Sequence, residues 1–524
     1  MRHRERPLLV SRAAACAWVC GALAAILAGC GDDGAPAADV PDVPDVEAAG
    51  EVPEVDAPGE AEADADAGVP AEAEADDAGG DAAEADVPPA EIAAALAAIP
   101  GMRVAEVESP EPGYRAFDLR FRQPVDHDDP SRGSFEQYLS LLHRSTDAPV
   151  VLVTEGYVNW EPFGVVELTA MLEANQIVVE HRYFGESRPV PTDWSRLTIR
   201  QAAADHHRVV EALSWIYGGA WISTGASKGG MTAVYHRRFH PADVDGTVPY
   251  VAPISFGAPD LRYIPFVAAG GDAACSARLH DLQREMLARR DPLLALLADY
   301  AAETGQTFVR MGGLEPTFEA TVVELPFSFW QYHGLSECPA VPGTAASDEA
   351  LFAYLDDVSG FFWSADWAID IFEPYYYQAA TQLGYPDVER DSLADLLRTD
   401  FTDLEAGILP AGVGPVTYDP AVMRDVADWV AGEGERLLFV YGEFDPWTAG
   451  AFELGGAVDS YLFVVPEGTH DANLAGLTAA DRAAALDALR RWTGVTPHPP
   501  ASWRPAGSLP KPALRKLRGR KSGS

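Results

Sequence analysis

The chain has 524 residues and a formal net charge of −42, with an ordinary 48% hydrophobic and 10% aromatic content. It is too long for one small core and too acidic for a nucleic-acid binder, which needs clustered Lys and Arg against phosphate. The charge is uneven: between Cys30 and Ala90 there are 20 Asp and Glu and no Lys or Arg, so much of the excess says nothing about a folded part.

The N-terminus reads as an address. Arg2, Arg4, Arg6 and Arg12 precede an apolar run from Ala13 to Ala28, which is short for a membrane span. Leu27-Ala28-Gly29-Cys30 closes that run and resembles the bacterial lipobox, in which the signal is cut before a Cys that becomes acylated. Residues 1–30 are expected to be a lipoprotein signal ending at Cys30. The protein is then exported and lipid-anchored to the cell envelope, and Gly31 after the Cys favours the outer membrane. Residues 31–97, rich in Ala, Pro and acid, cannot bury enough apolar surface to offset the entropy of ordering and read as a disordered tether.

Folded sequence starts near residue 98. Alternating residues from Tyr114 to Phe121 and from Phe135 to Leu142 predict strands on either side of the turn Asp129-Pro130-Ser131-Arg132-Gly133. Short continuous apolar runs follow at Pro149 to Thr154, Gln176 to Glu180 and Ala220 to Thr224. Such runs suit parallel strands buried on both faces. Helices are predicted between them, from Val165 to Ala174 and from Ile199 to Tyr217. Two late strands, Arg436 to Tyr441 and Ser460 to Val465, and an amphipathic helix from Ala480 to Trp492 complete the alternation, which implies an α/β sheet. Residues 260–432 interrupt it with helical patterns at Ala277 to Ala302, Ala350 to Val358, Trp363 to Leu383 and Leu393 to Arg398. This segment reads as a helical cap dividing the core into 98–259 and 433–495. It carries Cys275 and Cys338, a plausible disulfide in an exported protein. Residues 496–524 are a Pro-rich, basic tail, read as a solvated terminus.

Gly225-Ala226-Ser227-Lys228-Gly229 is a G-x-S-x-G string lying between a strand and a helix start. That context is what a serine nucleophile needs: a sharp turn pushes the hydroxyl out, and the helix N-terminus faces developing negative charge. A serine needs a base, and the base an orienting acid. After the two late strands stand Gly442-Glu443-Phe444-Asp445 and Gly468-Thr469-His470. The order Ser227, Asp445, His470 predicts an α/β-hydrolase fold with a large inserted helical cap, with Glu443 the competing acid. His181, His206, His207 and His236 read as structural. The oxyanion hole is expected from the backbone N–H of Lys228 and from the Glu155-Gly156-Tyr157 loop, at Tyr157. No zinc-type ligand pattern is read, so neither metal nor cofactor is expected.

The strings QPVDH (Gln123 to His127), TEGY (Thr154 to Tyr157), EHRYFGESRP (Glu180 to Pro189), the long segment Trp221 to Pro253, GEFDPW (Gly442 to Trp447) and GTHDANL (Gly468 to Leu474) resemble the secreted bacterial prolyl tri- and tetrapeptidyl aminopeptidases. These are serine peptidases distantly similar to the lysosomal Pro-Xaa carboxypeptidase group. The resemblance spans Tyr114 to Trp492. It implies a serine exopeptidase that frees short peptides from N-termini, cleaving after proline, with Ser227, Asp445 and His470 as its triad. Ala226 stands where many members have Gly. A free amine needs a carboxylate, for which Glu155 and Glu180 are candidates. The cap aromatics Trp330, Trp363, Tyr375, Tyr376 and Tyr377 read as core packing first and a proline pocket second. An esterase or lipase of the same fold, and an inactive surface-tethered binding protein, are the alternatives.

Overall fold

In the computed structural model of the chain, residues 91–401 and 407–498 are described. The expected signal with Cys30, the tether up to residue 90 and the tail beyond residue 498 lie outside them.

Among the described residues, nine strands form one sheet: β1 (Met102–Val107), β2 (Arg115–Pro124), β3 (Ser134–His143), β4 (Val150–Thr154), β5 (Asn175–Val179), β6 (Trp221–Ala226), β7 (Gly246–Tyr250), β8 (Leu438–Gly442) and β9 (Tyr461–Val465), in the order β1-β2-β3-β5-β4-β6-β7-β8-β9. β1, β2 and β3 pair antiparallel, β3 meets β5 antiparallel, and β5, β4, β6, β7, β8 and β9 run parallel. Strands β4 to β8 are buried along their whole length, which is why their sequences are continuous apolar runs rather than alternations. From β2 onward this is the α/β-hydrolase order, with one β4/β5 exchange and the serine-bearing turn after β6.

Successive residues of β4 point to opposite faces. Val150 and Leu152 pack with Leu139, Ile177 and the helix Ile199–Leu213. Val151 and Val153 pack with Ile222, Val248, Leu438 and the C-terminal helix Ala479–Thr493. A third apolar cluster begins on core residues Met231, Val234, Ile254, Phe439 and Trp447. It runs without interruption into the helical insertion through Leu279, Phe318, Trp330, Phe362 and Tyr376. The insertion therefore has no core of its own.

Several expectations are corrected. The tether does not reach residue 97: Glu91–Ala97 is a helix that buries Ile92 and Leu96 against Phe117 and Leu119, an apolar pair four residues apart inside an Ala-rich run. The helix Pro420–Glu433 belongs to the sheet as a crossover helix, with Tyr235 bonded to Met423 and Arg238 to Asp425. The single helix expected from Ala277 to Ala302 is two, Ala273–Ala288 and Arg290–Thr304, broken at Arg289; Pro292 fits the first turn of the second. Leu393 to Arg398 is turns after a short 3-10 segment. Cys275 and Cys338 form a disulfide with Cα atoms 5.6 Å apart.

Candidate active site

Ser227 sits between the end of β6 and the helix Lys228–Phe239 with φ 54° and ψ −127°. A non-glycine residue is held there only when its surroundings over-determine it. The surroundings are backbone. Ser227 N–H donates to Tyr250 O, and Met231 N–H donates to Ser227 O, both at 2.9 Å. The flanking glycines are required by close approach. A Cβ on Gly229 would lie 2.6 Å from Thr154 O, and one on Gly225 would lie 2.4 Å from the Gly229 carbonyl carbon. Thr154 Oγ1 donates to Thr224 O and Gly229 O at 3.1 and 2.9 Å, fastening the end of β4 to the turn. Ser227 itself stays partly accessible.

Parallel pairing brings the ends of β8 and β9 to the same edge of the sheet. Asp445, fully buried, accepts a 2.7 Å hydrogen bond at Oδ2 from His470 Nδ1, and its Oδ1 accepts from Trp447 N–H. Glu443 is exposed and accepts from Glu467 N–H, so it orients the loop and not the imidazole. The two loops touch through backbone: a Cβ on Gly442 would lie 2.3 Å from Thr469 O. The insertion reaches this corner too. His470 N–H donates to Gln331 O of the helix Leu325–Tyr332, and the Tyr332 and Trp447 rings flank the imidazole at 5.9 and 6.3 Å.

The Glu155-Gly156-Tyr157 loop lies against the residue after Ser227. A Cβ on Gly156 would be 2.6 Å from Lys228 Cβ. Lys228 brings more than its backbone, which the motif alone did not suggest. Its buried ammonium donates to Gly156 O at 2.7 Å and lies over the rings of Tyr157 and Phe184, pinning the loop to the turn. Tyr157 in turn meets Phe184, Phe372 and Tyr375 edge-on, so core and insertion share an aromatic wall beside the loop. Trp330, Trp363, Tyr375 and Tyr376 are buried in the core, and Tyr377 packs on Trp194.

The two carboxylates separate. Glu180, one of the two candidates for the substrate amine, is tied into the scaffold. Oε1 accepts from Glu186 N–H, Ser187 N–H and Ser187 Oγ, and Oε2 accepts from Asn159 N–H. Its lone pairs are committed to folding the Glu180 to Ser187 loop, with Gly185 packed on the carboxylate. Glu155 has no hydrogen-bond or ion-pair partner at its carboxyl among the described residues, while its backbone N–H donates to Val179 O at 3.1 Å. It is surrounded by protein yet keeps some solvent access. Desolvation, then the nearby Glu180 and Glu161, push its carboxyl up to about 8. Glu167, invisible to motif reasoning, joins both halves of the site: its buried Oε2 accepts from Tyr250 Oη at 2.6 Å and from Leu474 N–H, four residues past His470.

The family model of the PS-10 peptidases S37 matches residues 85–512. The chain is 44% identical over 384 residues to the prolyl tri/tetrapeptidyl aminopeptidase of Streptomyces mobaraensis, covering 72% of this chain and 80% of that one. It is 22% identical over 434 residues to prolyl carboxy peptidase like protein 5 of Caenorhabditis elegans, covering 68% and 85%. Among solved structures, the peroxisomal alpha-beta-hydrolase Lpx1 of Saccharomyces cerevisiae matches with TM-score 0.30 and 13% identity, over 80% of this chain and 95% of that one. With the family model spanning the sheet, the insertion and every residue of the constellation just described, this chain belongs to the peptidase S37 family of serine peptidases.

Proposed function

We propose that the protein is a serine exopeptidase that releases short peptides from free N-termini by cleaving after proline, with Ser227 as nucleophile, His470 as base and Asp445 as the acid that orients it. The observation that carries this reading is the 2.7 Å His470–Asp445 hydrogen bond at the edge where the strained Ser227 turn emerges. The Nδ1 bond fixes the imidazole tautomer and leaves Nε2 to take the serine proton. The N–H groups of Lys228 and Tyr157 are assigned to the oxyanion, with the Lys228 ammonium holding the loop. Glu155 is assigned to the substrate ammonium: it is the unpartnered carboxyl in the loop next to the oxyanion donors. The name of the Streptomyces relative supports the preference for proline.

The same reading places the enzyme outside the cytoplasm. Cys30 carries the lipid and residues 31–90 span from membrane to peptidase, supported by the Leu27-Ala28-Gly29-Cys30 string at the end of the apolar run. No described helix is long and apolar enough to cross a membrane. Cys30→Ser is expected to move the protein from the membrane to the soluble fraction or to leave its signal uncut.

A panel of three substrates tests the activity: a peptide anilide with proline at its third or fourth position, its N-acetylated form, and a short-chain ester. Turnover of the free-amine anilide alone is the expected result. Comparable rates on the acetylated form remove the exopeptidase reading. Ester turnover without anilide turnover makes the protein an esterase, and no turnover at all a binding protein.

A further inference from the structure

On the helix layer behind the catalytic turn, the expectation of no metal-ligand set meets a different arrangement. His207 lies on the helix Ile199–Leu213, His240 directly follows the helix Lys228–Phe239, and Asp243 lies in the loop into β7. One ligand-type atom from each lies within 4.8 Å of the other two. The three come from separate elements and are half-buried. His207 Nδ1 is 2.9 Å from both Asp243 oxygens, and the His207 and His240 rings stack at 4.1 Å.

We propose that His207, His240 and Asp243 form a binding site for a divalent transition-metal ion of the zinc class, which clamps the far end of the helix that starts at Ser227 to its neighbour.

The donor chemistry selects the ion. Two imidazoles and one carboxylate suit Zn²⁺ and its borderline-soft neighbours. Mg²⁺ and Ca²⁺ seek all-oxygen sets. A supporting shell is already built. His236, buried one helical turn before His240, holds Asp243 Oδ2 at 2.8 Å, as the outer partners of ligating carboxylates do. Exposed Glu211, 3.5 Å from His207 Nε2, lies beside the ring nitrogen that faces away from Nδ1, as the outer partners of ligating imidazoles do, and water completes four-coordination. The rings are stacked and nearly parallel, 10° apart, so chelation requires a tilt of one ring. His240, past the end of its helix and half-exposed, is the ring placed to make it. The ion takes the place of the hydrogen bond between His207 Nδ1 and Asp243, its proton passing to solvent.

The test uses the full chain, stripped with a chelator, dialysed and titrated with Zn²⁺ by calorimetry and thermal melting. One Zn²⁺ per chain is expected, absent in His240→Ala. At a hundredfold excess over Kd the parent's melting midpoint should rise by about 3 °C, since binding to the native state alone stabilises it by mass action. Mg²⁺ should leave the midpoint unchanged. Weak cation binding by the acidic residues 31–90 is common to parent and variant and cancels between them. His207→Gln repeats the test if His240→Ala does not fold. No binding by the parent at about 100 µM Zn²⁺, or equal shifts in parent and variants, overturns the site.

Discussion

The sheet edge and the helical insertion contribute to the site in different ways. The edge is built by backbone: Gly225, Gly229, Gly156 and Gly442 each stand where a Cβ would come within 2.7 Å of a neighbouring chain atom. Among the described residues, the insertion contributes side chains and a single main-chain acceptor, Gln331 O, to the histidine loop. Backbone-built geometry leaves little room for variation, because a main-chain atom cannot step aside as a side chain can. Side-chain walls can be repacked without moving the reacting groups. The triad therefore stands on the edge, and the insertion supplies an aromatic wall beside it, although both draw on one apolar cluster.

The largest effect should come from the edge. Ser227→Ala is expected to lower kcat by at least ~10⁴-fold while leaving the fold intact, because triad members act as a unit and only oxyanion stabilisation and binding remain. Loss of organophosphonate labelling with unchanged melting checks it. A smaller effect, on stability, should come from the insertion. The Cys275–Cys338 bridge closes a 63-residue separation, for which the chain-entropy model gives about 4 kcal/mol. The double Ser variant should melt lower, and its rate should fall with the loosening of the segment around Gln331 and Gly334, which touches Thr469. If the variant melted as the parent does, the insertion's hold on the histidine loop would rest on apolar packing alone.

The same contrast explains what the sequence made legible. β4, β5, β6, β8 and β9 showed as apolar runs, and the triad followed from the residues after them, because chain order and strand ends constrain both. β7 was hidden by Gly246 and Pro249 in a five-residue strand, and β1 by its mostly exposed edge position. In the insertion, Leu314–Val323 and Leu325–Tyr332 are buried almost all round, so no amphipathic period marks them. Glu155 and Glu180 looked alike as letters. Only the partners around Glu180 and their absence around Glu155 distinguish a scaffold carboxylate from one left for a ligand.

That distinction predicts opposite behaviour in two assays of one variant. Glu155→Gln should lower kcat/KM on the free-amine peptide by about a hundredfold, roughly 2.7 kcal/mol, and leave any residual rate on the acetylated peptide unchanged. Its stability should move the other way. The folded-state pKa of Glu155 is raised from 4.5 to about 8, so the folded protein holds a proton there that the unfolded chain has released. Stability that depends on this neutral carboxyl is fully present below pH 4.5 and is lost as the pH climbs through about 8. Gln carries no such proton, so the variant should melt with the parent near pH 4.5 and progressively above it up to about pH 8, where the gap levels off. A substrate ammonium reverses the sign by favouring the carboxylate, so peptide binding to a Ser227→Ala protein at pH 7 should release a proton, seen as a buffer-dependent heat. A melting difference that stayed flat with pH, or binding without proton release, would show that Glu155 is already ionised and compensated, and would move the ammonium site elsewhere.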